Sequence, residues 1–319
     1  MKVKHNIKRL EYLLSLYKMT TGELLLQMNM GLKKRIQAND LFREEIEINH
    51  LKRIDKIFNK GLHYYLDENI PVKSDDASIF FRKEHFISDL NLEARKVVNR
   101  FEELKISLEA ISRLADIRRE RLLPIFSTGD DPEVVAHALS KQLYPAFEQN
   151  KRNFLKALIE RFAEYNILVF EFIETWNKIE IANIDGFYLH PNVIVLKRRQ
   201  NAFSREIFTL IHELGHYLLN IEEVEQIDVL NMARRELSAV ERWCNDFAFY
   251  FLAGNQANEI ARMGRVDESN DYFFDRVSRL DNPEHTHPLS GIISVIQKGS
   301  IFSLNPDLCQ ISTKRSNNM

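Results

Sequence analysis

His212-Glu213-Leu214-Gly215-His216 is the stretch on which the reading of this 319-residue chain turns. It spells H-E-x-x-H. On an α-helix, residues i and i+4 lie on one face, so both imidazoles reach toward the same point, and a histidine pair at this spacing is a zinc-binding pattern. Glu213 stands beside them, placed to take a proton from a water that zinc has acidified to a pKa of about 7. The pentapeptide alone is weak, because with ten histidines among 319 residues it arises by chance in about one such chain in forty. Its surroundings have to decide.

Working outward, Ser204 suits an N-cap, and Ile207, Ile211, Leu214 and Leu218 follow at helical spacing as a core-facing stripe. Phe208, His212, Gly215, His216 and Leu219 fall on a neighbouring face, and the helix fades near Asn220. Gly215 costs a helix about 1 kcal/mol relative to alanine, which makes sense if something approaches the helix closely beside the histidines. A catalytic zinc keeps three protein ligands and an open position. A second helix over residues 236–253, closed by Gly254, carries Glu241 and Asn245 on one face beside Ala248 and Leu252. That placement suits a third ligand and a partner that orients a ligand histidine. A solvated surface carboxylate is the plain alternative for Glu241, with Asp246 or a C-terminal histidine next in line as ligand.

Phe208-Thr209-Leu210-Ile211-His212-Glu213-Leu214-Gly215-His216, followed by Glu241-x-x-x-Asn245-x-Phe247-Ala248, resembles the ImmA/IrrE family of bacterial metallopeptidases. Members of that family carry F-T-x-x-H-E-x-x-H and then a helix bearing E-x-x-x-N-x-F-A. Asp185-Gly186-Phe187 resembles the turn that enters the family's small sheet, and Phe81-Arg82 resembles the F-R that opens its preceding helical segment. The resemblance covers roughly residues 80–255, and it implies a gluzincin-like site: His212, His216 and Glu241 as zinc ligands, Glu213 as general base. Cys244 departs from the alanine usual at its place, a change of packing. The resemblance also implies limited proteolysis of a regulator, typically a helix-turn-helix repressor or an antitoxin.

Composition bounds the rest. The chain is 45% hydrophobic and 28% charged with net charge −2, ordinary for a globular protein and without a global basic field for nucleic acid. Residues 1–70 hold 13 Lys+Arg against 9 Asp+Glu, a local +4. Cys244 and Cys309 make neither a disulfide framework nor a zinc knuckle. No apolar run reaches a membrane span and the charged N-terminus lacks a signal-peptide core, so the cytoplasm, with no membrane partner, is the expected location.

Along the chain, residues 1–75 read as a module of short helices that resembles an Xre-type helix-turn-helix. Thr20-Thr21-Gly22-Glu23 forms a capping box within it. Lys33, Lys34 and Arg35 are its candidate DNA contacts, although the acidic run Glu44-Glu45-Ile46-Glu47 nearby opposes phosphate. Such a module serves equally well for protein–protein contact or homodimerisation. Residues 76–130 read as a helical linker, 131–255 as the peptidase core and 256–319 as a C-terminal extension packing on it. Residues 167–172, 186–189 and 193–196 read as three strands just ahead of the H-E-x-x-H helix. The fold class is therefore α+β and mostly helical. Tyr217, His285 and His287 are candidate donors to the oxyanion of a tetrahedral intermediate, and Lys197, Arg198 and Arg199 alternatively suit an acidic substrate segment. The leading reading is a zinc endopeptidase acting on a protein regulator. The second is a DNA-binding regulator or antitoxin whose zinc domain binds without cleaving. Glu213 favours hydrolysis, since a structural zinc site has no need of it.

Overall fold

Lys2-Val3-Lys4 and Glu45-Ile46-Glu47 are complementary in charge, and they pair. Strands β1 (Lys2–Lys4) and β2 (Glu45–Glu47) run antiparallel, with Lys2 opposite Glu47, Val3 opposite Ile46 and Lys4 opposite Glu45. The computed structural model describes residues 1–71, 78–79, 90–117, 120–145, 150–173, 181–198, 203–224 and 237–254. Phe81-Arg82, Arg199, His285, His287 and the extension over 256–319 lie outside the described residues. The chain divides into two units, Met1–Ile117 with Ile179–Asn183, and Arg118–Lys178 with Ile184–Met319.

In the first unit, α1 (Ile7–Leu16), α2 (Thr21–Asn29), α4 (Ile48–Phe58) and α5 (Leu62–Leu66) bury Leu10, Leu13, Leu24, Met28, Leu51, Ile54 and Tyr65 in one core. The Thr20 capping box forms as its sequence predicts: Glu23 N–H donates to the Thr20 hydroxyl at 3.1 Å, and Thr20 N–H donates to Glu23 at 2.7 Å. Two features depart from the all-helical reading of this region. Strands of three residues are too short to carry an alternating pattern, so the sequence does not mark β1 and β2, and the acidic run is a strand facing lysines across the pair. Leu32–Gln37 is not helical. It belongs to a connection over residues 30–37 that leads to α3 (Ala38–Leu41), a single turn, whereas a helix-turn-helix joins its helices by three or four residues. The Asn29 carboxamide pins the far end of this loop, accepting from Ile36 N–H at 2.7 Å and donating to the Ile36 carbonyl at 3.1 Å. Lys33, Lys34 and Arg35 are exposed on it. A long helix, α6 (Leu92–Leu114), completes the unit, capped by Asn91 accepting from Ala94 N–H.

The second unit is a helical layer against a small sheet. Asp131 caps α7 (Pro132–Leu143), whose proline sits at the first position, where no N–H is needed. Helix α8 (Lys151–Glu164) follows, then β3 (Leu168–Phe172), β4 (Gly186–Leu189) and β5 (Val193–Lys197). The strand order is β3-β5-β4, with β5 parallel to β3 and antiparallel to β4. β4 and β5 are buried along their whole length, as strands covered on both faces are. Helix α9 (Phe203–Leu219) lies against β4, β5 and α8, and α10 (Ala239–Ala253) packs on α9 and α7.

Helix α9 buries the stripe of Ile207, Ile211, Leu214 and Leu218 as its spacing predicts, and it buries the neighbouring face as well. All but two of its residues, Phe203 and Arg205, are buried, polar His212, Glu213 and His216 included. A helix enclosed on every side is a core element, and each fully buried Leu or Phe on it contributes about 1.5–3 kcal/mol. Ser204 lies in its first turn rather than before it, and Asn220, in the left-handed region at φ 55°, ends it. Helix α10 begins at Ala239, capped by Ser238 accepting from Glu241 N–H at 3.0 Å, and closes at Gly254 with φ 51°.

Candidate metal centre

Two helices carry the site. His212 and His216 project from one face of α9, one turn apart, and Glu241 reaches them from the first turn of α10, where Ser238 fixes the backbone. The two Nε2 atoms stand 3.1 Å apart. Glu241 Oε1 lies 2.9 Å from His216 Nε2, and Oε2 lies 3.1 Å from His212 Nε2. Exposure is 9% for His212 and 1% each for His216 and Glu241, so water cannot share the charge. Among the described residues this is the one His/Cys/Asp/Glu group whose ligand atoms all fall within 4.8 Å of one another.

The donor set fits a cation. His212 Nδ1 is 2.9 Å from Asn245 Oδ1. An oxygen accepts only, so this contact puts the ring proton on Nδ1 and leaves a bare lone pair on Nε2. That lone pair faces His216 Nε2 and both carboxylate oxygens. The Glu241 oxygens are close to the rings in distance, yet neither has a hydrogen-bond-aligned partner. Two ring nitrogens and a carboxylate gathered around one buried point, with no proton aligned on either carboxylate oxygen, suit a metal ion, and an unsatisfied buried carboxylate is costly.

The electrostatics agree. When protonated, the His216 and His212 rings play the part of such a cation: burial works against a charge on Glu241, but the two charged rings override it and hold the carboxyl well below the usual carboxylate range. Glu213, 6% exposed and outside the ligand group, goes the other way. Burial pushes it up to about 7, opposed by the two histidines and reinforced by Glu241 and Asp185. Two carboxyls that feel each other's charge are thus divided into an ionised one and one poised to carry a proton.

Glycines set the spacing. A Cβ on Gly215 would stand 3.0 Å from Cys244 Sγ and 3.1 Å from Cys244 Cα. The close neighbour that Gly215 implies in the sequence is therefore the backbone of α10. The Cys244 thiol is buried at that contact and pushed up to about 12 by burial, so it stays protonated. A signal the sequence reasoning missed lies on β4: Gly186 faces Thr209 and Glu213 of α9 as closely as Gly215 faces α10. The motif Asp185-Gly186-Phe187 was the available clue. Asp185 fastens the same junction, accepting from Arg205 Nε at 2.7 Å in the first turn of α9.

The other candidates are placed as follows. Asn245 is 2% exposed, one turn after Glu241. Tyr217 is fully buried, its ring edge-on to Tyr188 and 3.8 Å beneath the Arg121 guanidinium. Lys197 is 7% exposed, and Arg198 is paired with Glu171 and, at 2.9 Å, with Glu206. Those two cations are therefore committed inside the unit instead of offered to an acidic substrate. Since Asn245 orients the His212 ring, Asn245→Ala is expected to lower metal affinity about 10–100-fold in a chelator-competition titration. An unchanged affinity would detach Asn245 from the site.

Residues 158–258 match the model of the Peptidase_M78 family, described as the IrrE N-terminal-like domain. The matched stretch runs from within α8 through the sheet to the end of α10, so it contains the whole His-His-Glu group. No curated protein and no solved structure matches the chain. No helix among the described residues is long and apolar enough to cross a membrane.

Proposed function

We propose that this chain is a zinc-dependent endopeptidase that cleaves a protein substrate, of the transcriptional-repressor or antitoxin type, within the cytoplasm. The observation that carries the reading is the convergence of His212, His216 and Glu241 around one buried point, beside a carboxyl that is not part of the group. His212, His216 and Glu241 would hold the zinc, which supplies Lewis acidity toward a water molecule and the scissile carbonyl. Glu213 takes the proton from that water as its oxygen attacks the carbonyl carbon. When the C–N bond breaks, Glu213 delivers the same proton to the leaving amine nitrogen, so the residue ends as it began. Asn245 holds the His212 ring in the tautomer that keeps Nε2 free of a proton. The first unit, with its exposed Lys33, Lys34 and Arg35, serves to select the substrate or to engage a further partner.

The test is cleavage of a proteome-derived peptide library by the zinc-loaded full chain, read by mass spectrometry, beside a chelator-treated sample. New termini that appear with zinc and vanish with chelator are the expected result. A library left intact by a chain shown to hold zinc would favour the second reading, a domain that binds a regulator without cutting it.

A further inference from the structure

We propose that two glycines divide the geometry of this site between them, and that Gly186 is the positioning residue for Glu213. The inference rests on the peptidase reading, in which Glu213 carries the proton. The backbone does not demand a glycine at 186, which is absent from the glycines with positive φ, namely 31, 61 and 254. What demands it is space. A Cβ there would stand 2.7 Å from Thr209 Cγ2, 3.0 Å from the Val195 carbonyl oxygen and 3.2 Å from Glu213 Cγ, all inside ordinary contact.

Thr209 and Glu213 are i and i+4 on α9, so β4 is seated against two side chains stacked on one face. Glu213 Oε2 is buried without a hydrogen-bond partner. Its rotamer is therefore set by the packing of its stem, and Gly186 is the floor that stem rests on. Gly215 is two residues further along the helix, on nearly the opposite side at 3.6 residues per turn, and its tight contact is with Cys244 of α10. Gly215 thus governs how closely the helix bearing Glu241 approaches the histidines, and Gly186 governs where the proton carrier stands.

The experiment compares Gly186→Ala and Gly215→Ala in the full chain. Zinc affinity is measured by chelator competition, kcat and KM at saturating zinc on a peptide the protein cleaves, and the Glu213 position by crystallography of the zinc-loaded variants. Gly186→Ala is expected to keep its zinc affinity, to lose kcat by about tenfold or more with KM little changed, since a 1 Å misplacement costs roughly 10²-fold, and to show the Glu213 carboxylate displaced. Adding Thr209→Ser removes the atom at 2.7 Å and should recover part of the loss. Gly215→Ala is expected to weaken zinc binding instead. A Gly186→Ala chain with full kcat, or one whose loss of turnover tracks a loss of zinc, overturns the proposal. If the unsubstituted chain cleaves nothing, the peptidase reading fails separately. The crystal structure then decides alone, and a Glu213 carboxylate unmoved in Gly186→Ala overturns the assignment.

Discussion

Glu213→Gln is expected to bind zinc as the unsubstituted chain does and to cleave its substrate about 10²–10⁴-fold more slowly, the range a positioned general acid–base contributes. The two effects separate because Glu213 lies outside the ligand group. Glutamine has the same shape, so the stem still rests against Gly186 and Thr209. It cannot accept the proton of a water or return one to an amine. The fold should tolerate the change, since burial already works against a charge at this position. Single-turnover rates at saturating zinc, with metal content measured on the same sample, check both halves. Turnover equal to that of the unsubstituted chain would remove Glu213 from the mechanism.

Glu241→Ala is the other large effect, and it acts on the metal. The substitution removes the single anionic member of the group and leaves two neutral imidazoles. Losing a mere orienting partner costs a metal site about 10–100-fold in affinity, so losing this carboxylate should cost at least about 100-fold. A second readout follows from linkage. A ligand at 1,000 times its dissociation constant stabilises the folded state by about 4 kcal/mol. Chelation should therefore lower the melting temperature of the unsubstituted chain and leave that of Glu241→Ala unmoved. Undiminished affinity in the variant would place the third ligand elsewhere.

How much of this was legible in the sequence depended on whether a feature was local. The Thr20 capping box, the proline at the start of α7, the strands around residues 168–197 and the left-handed ends at Asn220 and Gly254 are written in a few adjacent residues, and each forms where it reads. Glu241 and Asn245 could be singled out because spacing i, i+4 survives translation into a helix. What sequence spacing could not give is which residues meet across elements. Gly215 announced a close neighbour without naming Cys244, and the motif around Gly186 marked the entry to the sheet without naming Glu213 some 27 positions on. On α9 the stripe of Ile207, Ile211, Leu214 and Leu218 is core-facing as its spacing predicts, while the burial of the neighbouring polar face, which is the candidate site, comes from elements that spacing does not name. In the first unit, Lys33-Lys34-Arg35 has the composition of a groove-facing helix but lies on a loop pinned by Asn29. Helical spacing cannot reveal a side-chain clamp.

Whether His212, His216 and Glu241 hold the metal is read from zinc K-edge X-ray absorption on the zinc-loaded full chain. The expected result is a first shell of nitrogen and oxygen only, at about 2.0–2.2 Å, with the outer scattering of two imidazoles. A zinc–sulfur path at about 2.3 Å, which Cys244 beside His216 would supply, or a chain that takes up no zinc at all, would contradict it.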